Sequence, residues 1–187
     1  MRYKFVPISE ETLPRTPAPI FQHAVDTYAS ETNKTASVWR EFTNADLAWR
    51  PHPRSMTVAE VMKHQLLSER RFFAEFMGNA EPPAPEVLPA EQTVETFGHR
   101  LVELARARLR WLAALRESEW LEQRNFFDVR RERIWIFWRR VLHSAHHRTQ
   151  LTVYLRLLNR DVPPVYGPTA DVTWAGADPT LTVERAQ

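Results

Sequence analysis

The chain has 187 residues, a formal net charge of +2 and a hydrophobic share of 43%, as in one ordinary globular domain. It contains no cysteine, which excludes disulfides, thiolate-ligated zinc, iron–sulfur clusters and a thiol nucleophile of its own. Four glycines argue against phosphate loops and Gly-rich dinucleotide folds. The basic residues are almost all arginines, strewn along the chain among Glu and Asp, so no nucleic-acid-binding stripe is expected. The longest apolar run, Ile134 to Trp138, is far too short to span a membrane. Met1 to Thr16 has no apolar core of a secretory signal, so a cytoplasmic location is expected.

The first element runs over residues 18–42. Phe21, Val25, Tyr28, Thr32, Thr35, Trp39 and Phe42 recur at steps of three and four, one face of a helix. It ends at Thr43-Asn44, ahead of Trp49-Arg50-Pro51-His52-Pro53, where two prolines forbid a helix interior. The second element spans 57–77. Thr57 and Glu60 have capping-box spacing, and Gly78-Asn79 marks the stop. A proline-rich linker from Glu81 to Pro89 follows. The third element, 93–117, repeats Val94, Phe97, Leu101, Leu104, Arg108, Leu112 and Leu115. The fourth runs over 132–158, and Pro163-Pro164 ends any helix beyond it. The tail to Gln187 reads as surface coil. With no hairpin signal, the expectation is one all-α domain over 1–187, a four-helix bundle with long connecting loops.

In the fourth element Ile136, His143, His147, Gln150, Leu151, Tyr154 and Leu158 share one face. Ile134, Trp138, Val141, Ala145 and Thr152 form a second, so this helix is central. His143 and His147, one turn apart, can present two nitrogens to one metal ion or be ordinary hydrogen-bonded histidines. His146 lies off their face. His64 is the candidate third ligand, on the flank of the second element's apolar stripe, where pattern alone does not choose between cleft and water. Glu69 falls near the middle of that stripe, where an unpaired carboxylate is costly. It therefore requires an arginine, a histidine or a metal shell as partner.

The stretch His143-Ser144-Ala145-His146-His147-Arg148-Thr149-Gln150-Leu151 resembles the DinB-like (YfiT/DinB) superfamily of bacterial metal-binding four-helix bundles. So do Tyr154 to Leu158, Val162 to Pro168, Trp49 to Pro53, Met56 to Glu60, and then His64 and Glu69-Arg70. The resemblance implies a divalent metal, zinc or nickel, held by His64, His143 and His147. Thr149 and Leu142 depart from residues common there, and neither removes a ligand. Superfamily members include S-transferases and isomerases that use low-molecular-weight thiols, while others carry a hydrolase label. A three-histidine site leaves a coordination position open, which leans toward chemistry. On that reading Arg148 and Arg156 would bind carboxylates of a thiol cofactor, and Glu69 would be the general base of a hydrolase. The expected partner is a small-molecule substrate, with no nucleic acid and no membrane and with a homodimer left open. A non-catalytic metal-binding or stress-response bundle is the opposing reading.

Overall fold

The computed structural model describes residues 2, 3, 5–174 and 183–185. In chain order the elements are β1 (Arg2–Tyr3), α1 (Gln22–Trp39), α2 (Val58–Arg71), the one-turn α3 (Ala84–Val87), α4 (Val94–Ala114) and the one-turn α5 (Glu117–Trp120). A hairpin of β2 (Gln123–Phe126) and β3 (Val129–Glu132) leads into α6 (Arg133–Leu157), and β4 (Val172–Trp174) and β5 (Val183–Arg185) follow. The protein is thus mostly helical. The four helical segments read from the sequence correspond to α1, α2, α4 and α6.

Local chemistry sets their ends. Thr57 Oγ accepts from the Glu60 amide at 3.1 Å, and Glu60 accepts from the Thr57 amide at 2.7 Å, which is the expected capping box. Past Arg71 the helix widens into a π-helical turn over Phe72–Met77 and stops at Gly78, whose φ of 86° suits glycine. Asn159, at φ 55°, terminates α6 in the left-handed conformation that asparagine tolerates.

The all-α expectation needs correction in two places. Residues 123–132 form an antiparallel hairpin, with Gln123 opposite Glu132 and Phe126 opposite Val129. Its turn has Phe127 at φ 53° where a hairpin normally carries Gly or Asn, so the usual sequence signal is missing. The tail is not all coil either, because β5 pairs antiparallel with both β1 and β4. The remainder of the tail, 175–182 and 186–187, lies outside the described residues.

Helix directions follow from the contacts. Thr16, before α1, bonds the Leu115 carbonyl after α4, while Asn44, after α1, caps Val94 at the start of α4. α1 and α4 are therefore antiparallel. Tyr28 to Glu69 and Trp39 to Gln65 make α1 and α2 antiparallel as well. Hence α2 and α4 run the same way, and the linker over 78–93 carries the chain back along the molecule. α6 lies parallel to α1, since Glu31 meets Arg148 while His23 stacks on Trp138.

The apolar core divides into two clusters. One gathers around Trp120, Phe137 and Phe73, the other around Trp39, Met62, Phe97 and Leu155. The long helices also bury polar side chains: Glu31, Thr32, Asn33 and Thr35 on α1, Gln65 and Glu69 on α2, Arg108 on α4, and Arg140, His147 and Arg148 on α6. A buried charge is tolerated only when paired, and here it is paired. Arg108 makes a two-pronged contact with Glu81 at 2.9 and 2.7 Å and lies 3.2 Å from Glu69. Tyr28 donates to Glu69 at 2.9 Å.

Candidate metal centre

α2 and α6 are antiparallel neighbours, stitched by Gln65 Nε2 to the Ser144 carbonyl at 3.3 Å and by Arg140 Nη1 to Ser68 Oγ at 3.3 Å. That pairing brings the flank of α2 carrying His64 opposite the α6 turn carrying His143 and His147. The flank therefore faces the cleft and not water. One ring nitrogen from each of the three lies within 4.8 Å of the others, and the cluster could hold a metal ion. Ring centroids are 5.3 Å apart for His64–His143, 4.5 Å for His64–His147 and 4.7 Å for His143–His147.

Two of the imidazoles face side chains outside the cluster. His147 Nδ1 faces Gln150 Oε1 at 3.0 Å. Gln150 in turn donates to Tyr154 Oη at 2.9 Å, and Tyr154 donates to the Met56 carbonyl at 3.0 Å. The amide oxygen can only accept, so Nδ1 carries the proton and Nε2 keeps a free lone pair. His143 Nδ1 lies 2.8 Å from Arg140 Nη1, and its Nε2 lies 3.5 Å from His64 Nε2.

Electrostatics keep all three rings neutral. Burial, reinforced by Arg140 and then by His147 and His64, pushes the His143 pKa down to about 3. Burial and then Arg140 lower His64. Burial is also the main cause for His147, with the bond to Gln150 working against it. A neutral imidazole is the ligating form, so the donor set fits a divalent ion that accepts nitrogen. No carboxylate joins the cluster among the described residues.

The other residues singled out from sequence have other neighbours. Glu69 is buried against Tyr28 and Arg108, and the Arg140 guanidinium stands between it and His143, 3.8 Å from the carboxylate. Its need for a partner was legible; that the partner is an arginine on α4 was not. Arg148 is fully buried and points to α1, 2.8 Å from Glu31 and 2.6 Å from Tyr166 Oη. Arg156 is exposed and holds Asp171 through two contacts of 3.1 and 2.6 Å. His146 is exposed beside His147, as expected. Sequence reasoning missed Arg140, although it precedes His143 by three residues and so sits over the same turn. A cavity of about 880 Å³ lies between α1 and α4 near Phe42 and Gly98 and includes none of the three histidines.

Comparison with solved structures finds the same fold in a DinB-like protein from Bacillus cereus. The TM-score is 0.68 at 19% identity, covering 78% of this chain and 97% of that one. A DinB-like protein from Bacillus subtilis (YjoA) is similar at a TM-score of 0.61 and 22% identity, covering 76% and 95%. Comparison with curated proteins found no match. The DinB family model matches residues 14–177, which takes in every long helix and all three clustered histidines. The chain belongs to the DinB family.

Proposed function

We propose that the protein is a divalent-metal-dependent enzyme acting on a small molecule, with transfer of a low-molecular-weight thiol ahead of hydrolysis. On this reading α1, α2, α4 and α6 are a four-helix bundle in the cytoplasm, and His64, His143 and His147 hold one zinc or nickel ion. The observation that carries it is a cluster of three neutral imidazoles with no carboxylate among them. Neutral ligands leave the ion's charge undiminished, and a bound divalent ion supplies acidification of a thiol or a water placed beside it.

The chain's own residues favour the thiol. Hydrolysis needs a general base, and the acidic candidate, Glu69, is held by Tyr28 and Arg108 with a guanidinium between it and His143. A thiol deprotonated outright needs no separate base in the transfer step. The cysteine-free chain would take that thiol from a cofactor. Arg148 and Arg156 could grip it only by giving up Glu31 and Asp171. Recognition of the cofactor's carboxylates by these two arginines therefore costs both ion pairs.

The test loads the protein with zinc or nickel and offers a model electrophile with bacillithiol, mycothiol or glutathione, beside esters and amides without thiol. Thiol-dependent turnover that disappears in His143→Ala is the expected result. Turnover without thiol means a hydrolase, and none under any condition means a non-catalytic metal-binding protein.

A further inference from the structure

The cavity of about 880 Å³ between α1 and α4 stands apart from the metal centre. Sites for small molecules typically measure about 300–1,000 Å³ and are mostly apolar with a few placed polar groups. This cavity has that composition. Phe5, Phe42, Val94 and Val102 supply apolar wall, and Arg106 and Arg110 supply charge. Val94, Gly98, Val102, Arg106 and Arg110 recur every four residues and so form one ridge of α4, about 24 Å from end to end.

Gly98 is the feature that packing does not explain. Among the described residues it is the only glycine inside a long helix. Glycine is the poorest residue for a helix interior after proline. Yet a Cβ at this position would meet no neighbouring element within 4 Å. Alanine would therefore fit and would favour the helix. What glycine does provide is bare backbone in the cavity wall, where a ligand can approach the chain closely.

The charges define the ligand's polar end. Arg106 donates to the Pro7 carbonyl at 2.7 Å, and neither it nor Arg110 meets a carboxylate among the described residues. Glu103, on the same wall, is held by Arg100 at 2.7 Å. Both arginines also border a second hollow of about 300 Å³ lined by Ile8, Leu13 and Leu109. Two guanidiniums without acidic partners, set between apolar spaces, suit an anion that accepts from both. Glu95 and Glu103 in the wall oppose a second negative charge on it. We propose that this cavity binds a small molecule with one carboxylate and an extended apolar body. The carboxylate lies on Arg106 and Arg110, and the body lies over Gly98 between Phe42, Val94 and Val102. Arg106 and Gly98 are about 12 Å apart along the axis, the reach of a medium-chain acyl group.

Calorimetric titration of the full chain with decanoate tests this. A single site is expected, with the same affinity in chelator-treated and zinc-loaded protein. Gly98→Leu, whose side chain fills the cavity, should abolish binding with an unchanged circular dichroism spectrum. Arg106→Gln/Arg110→Gln should weaken decanoate about tenfold, the scale of a lost charge-assisted hydrogen bond, and leave the weaker binding of uncharged decanol unchanged. In the ligand-free protein Gly98→Ala should raise the urea midpoint. No binding of decanoate up to about 1 mM overturns the proposal, as does binding that either the leucine or the double-arginine variant leaves intact. Binding that requires zinc places the carboxylate at the histidines and overturns it too. Equal affinity for decanoate and decanol refutes the role of the arginines, and a lower urea midpoint in Gly98→Ala refutes that of the glycine.

Discussion

Arg140 Nη1 stands 2.8 Å from His143 Nδ1, so a permanent cation faces the back of a candidate metal ligand. A guanidinium only donates, hence Nδ1 accepts and the single ring proton sits on Nε2, toward His64, so ligation through Nε2 requires that proton to move to Nδ1 and the Arg140 contact to give way. Metal-ligating histidines usually donate Nδ1–H to an acceptor, which raises their basicity. Arg140 does the reverse and contributes to the low pKa of about 3 at His143. Replacing it with glutamine offers an amide oxygen that accepts from Nδ1–H and removes a like charge. Arg140→Gln is therefore expected to tighten zinc binding about tenfold, in line with the effect of second partners on such ligands. Competition against a chelating dye measures it, and unchanged or weaker binding would count against this account.

The wild-type chain should carry one zinc or nickel ion after mild dialysis, and His64→Ala, His143→Ala and His147→Ala should each release it. Gln150→Ala should weaken binding by about tenfold, because the ring of His147 loses the acceptor that fixes its tautomer. Elemental analysis decides: full metal content in both His143→Ala and His147→Ala would make the assignment wrong.

Glu69 separates a structural role from a catalytic one. In Glu69→Ala the buried Arg140 loses its carboxylate and Tyr28 loses its acceptor. Breaking a buried pair from one side costs about 3–5 kcal/mol, which urea denaturation of the variant should reveal. If stability were unchanged while thiol-independent hydrolysis disappeared, Glu69 would be the general base after all.

The metal-free protein should lose stability on mild acidification. His64, His143 and His147 have folded-state pKa values below the unfolded value of about 6.5. The unfolded chain therefore binds more protons as pH falls through that value, and folding weakens. Their contribution is complete above about pH 6.5 and declines below it, toward the value of about 3 for His143. Urea midpoints of the metal-free protein between pH 8 and 5 should fall, and a variant with all three histidines changed to glutamine should show a flatter profile. Equal slopes for the two proteins would contradict the assigned shifts.

Whatever depends on a few neighbouring residues was legible in the sequence. The Thr57–Glu60 cap, the stop at Gly78 and the stacking of His143 over His147 all follow from helical geometry within one or two turns. The three-histidine set came from residue order as well, through its resemblance to a known family. The tertiary structure decided where the flanks point and who meets whom. His64 lies on the edge of a stripe, so its role depends on the rotation of α2 against α6, which no local pattern sets. Glu69 takes its partners from α1 and α4, 41 and 39 residues away (Tyr28 and Arg108). Arg148 reaches back 117 residues to Glu31. The β2–β3 hairpin stayed hidden because Phe127 carries the positive φ in place of a glycine. Capping and periodicity are energies of adjacent residues, whereas a buried charge finds its partner only after packing has brought distant helices within a few ångströms.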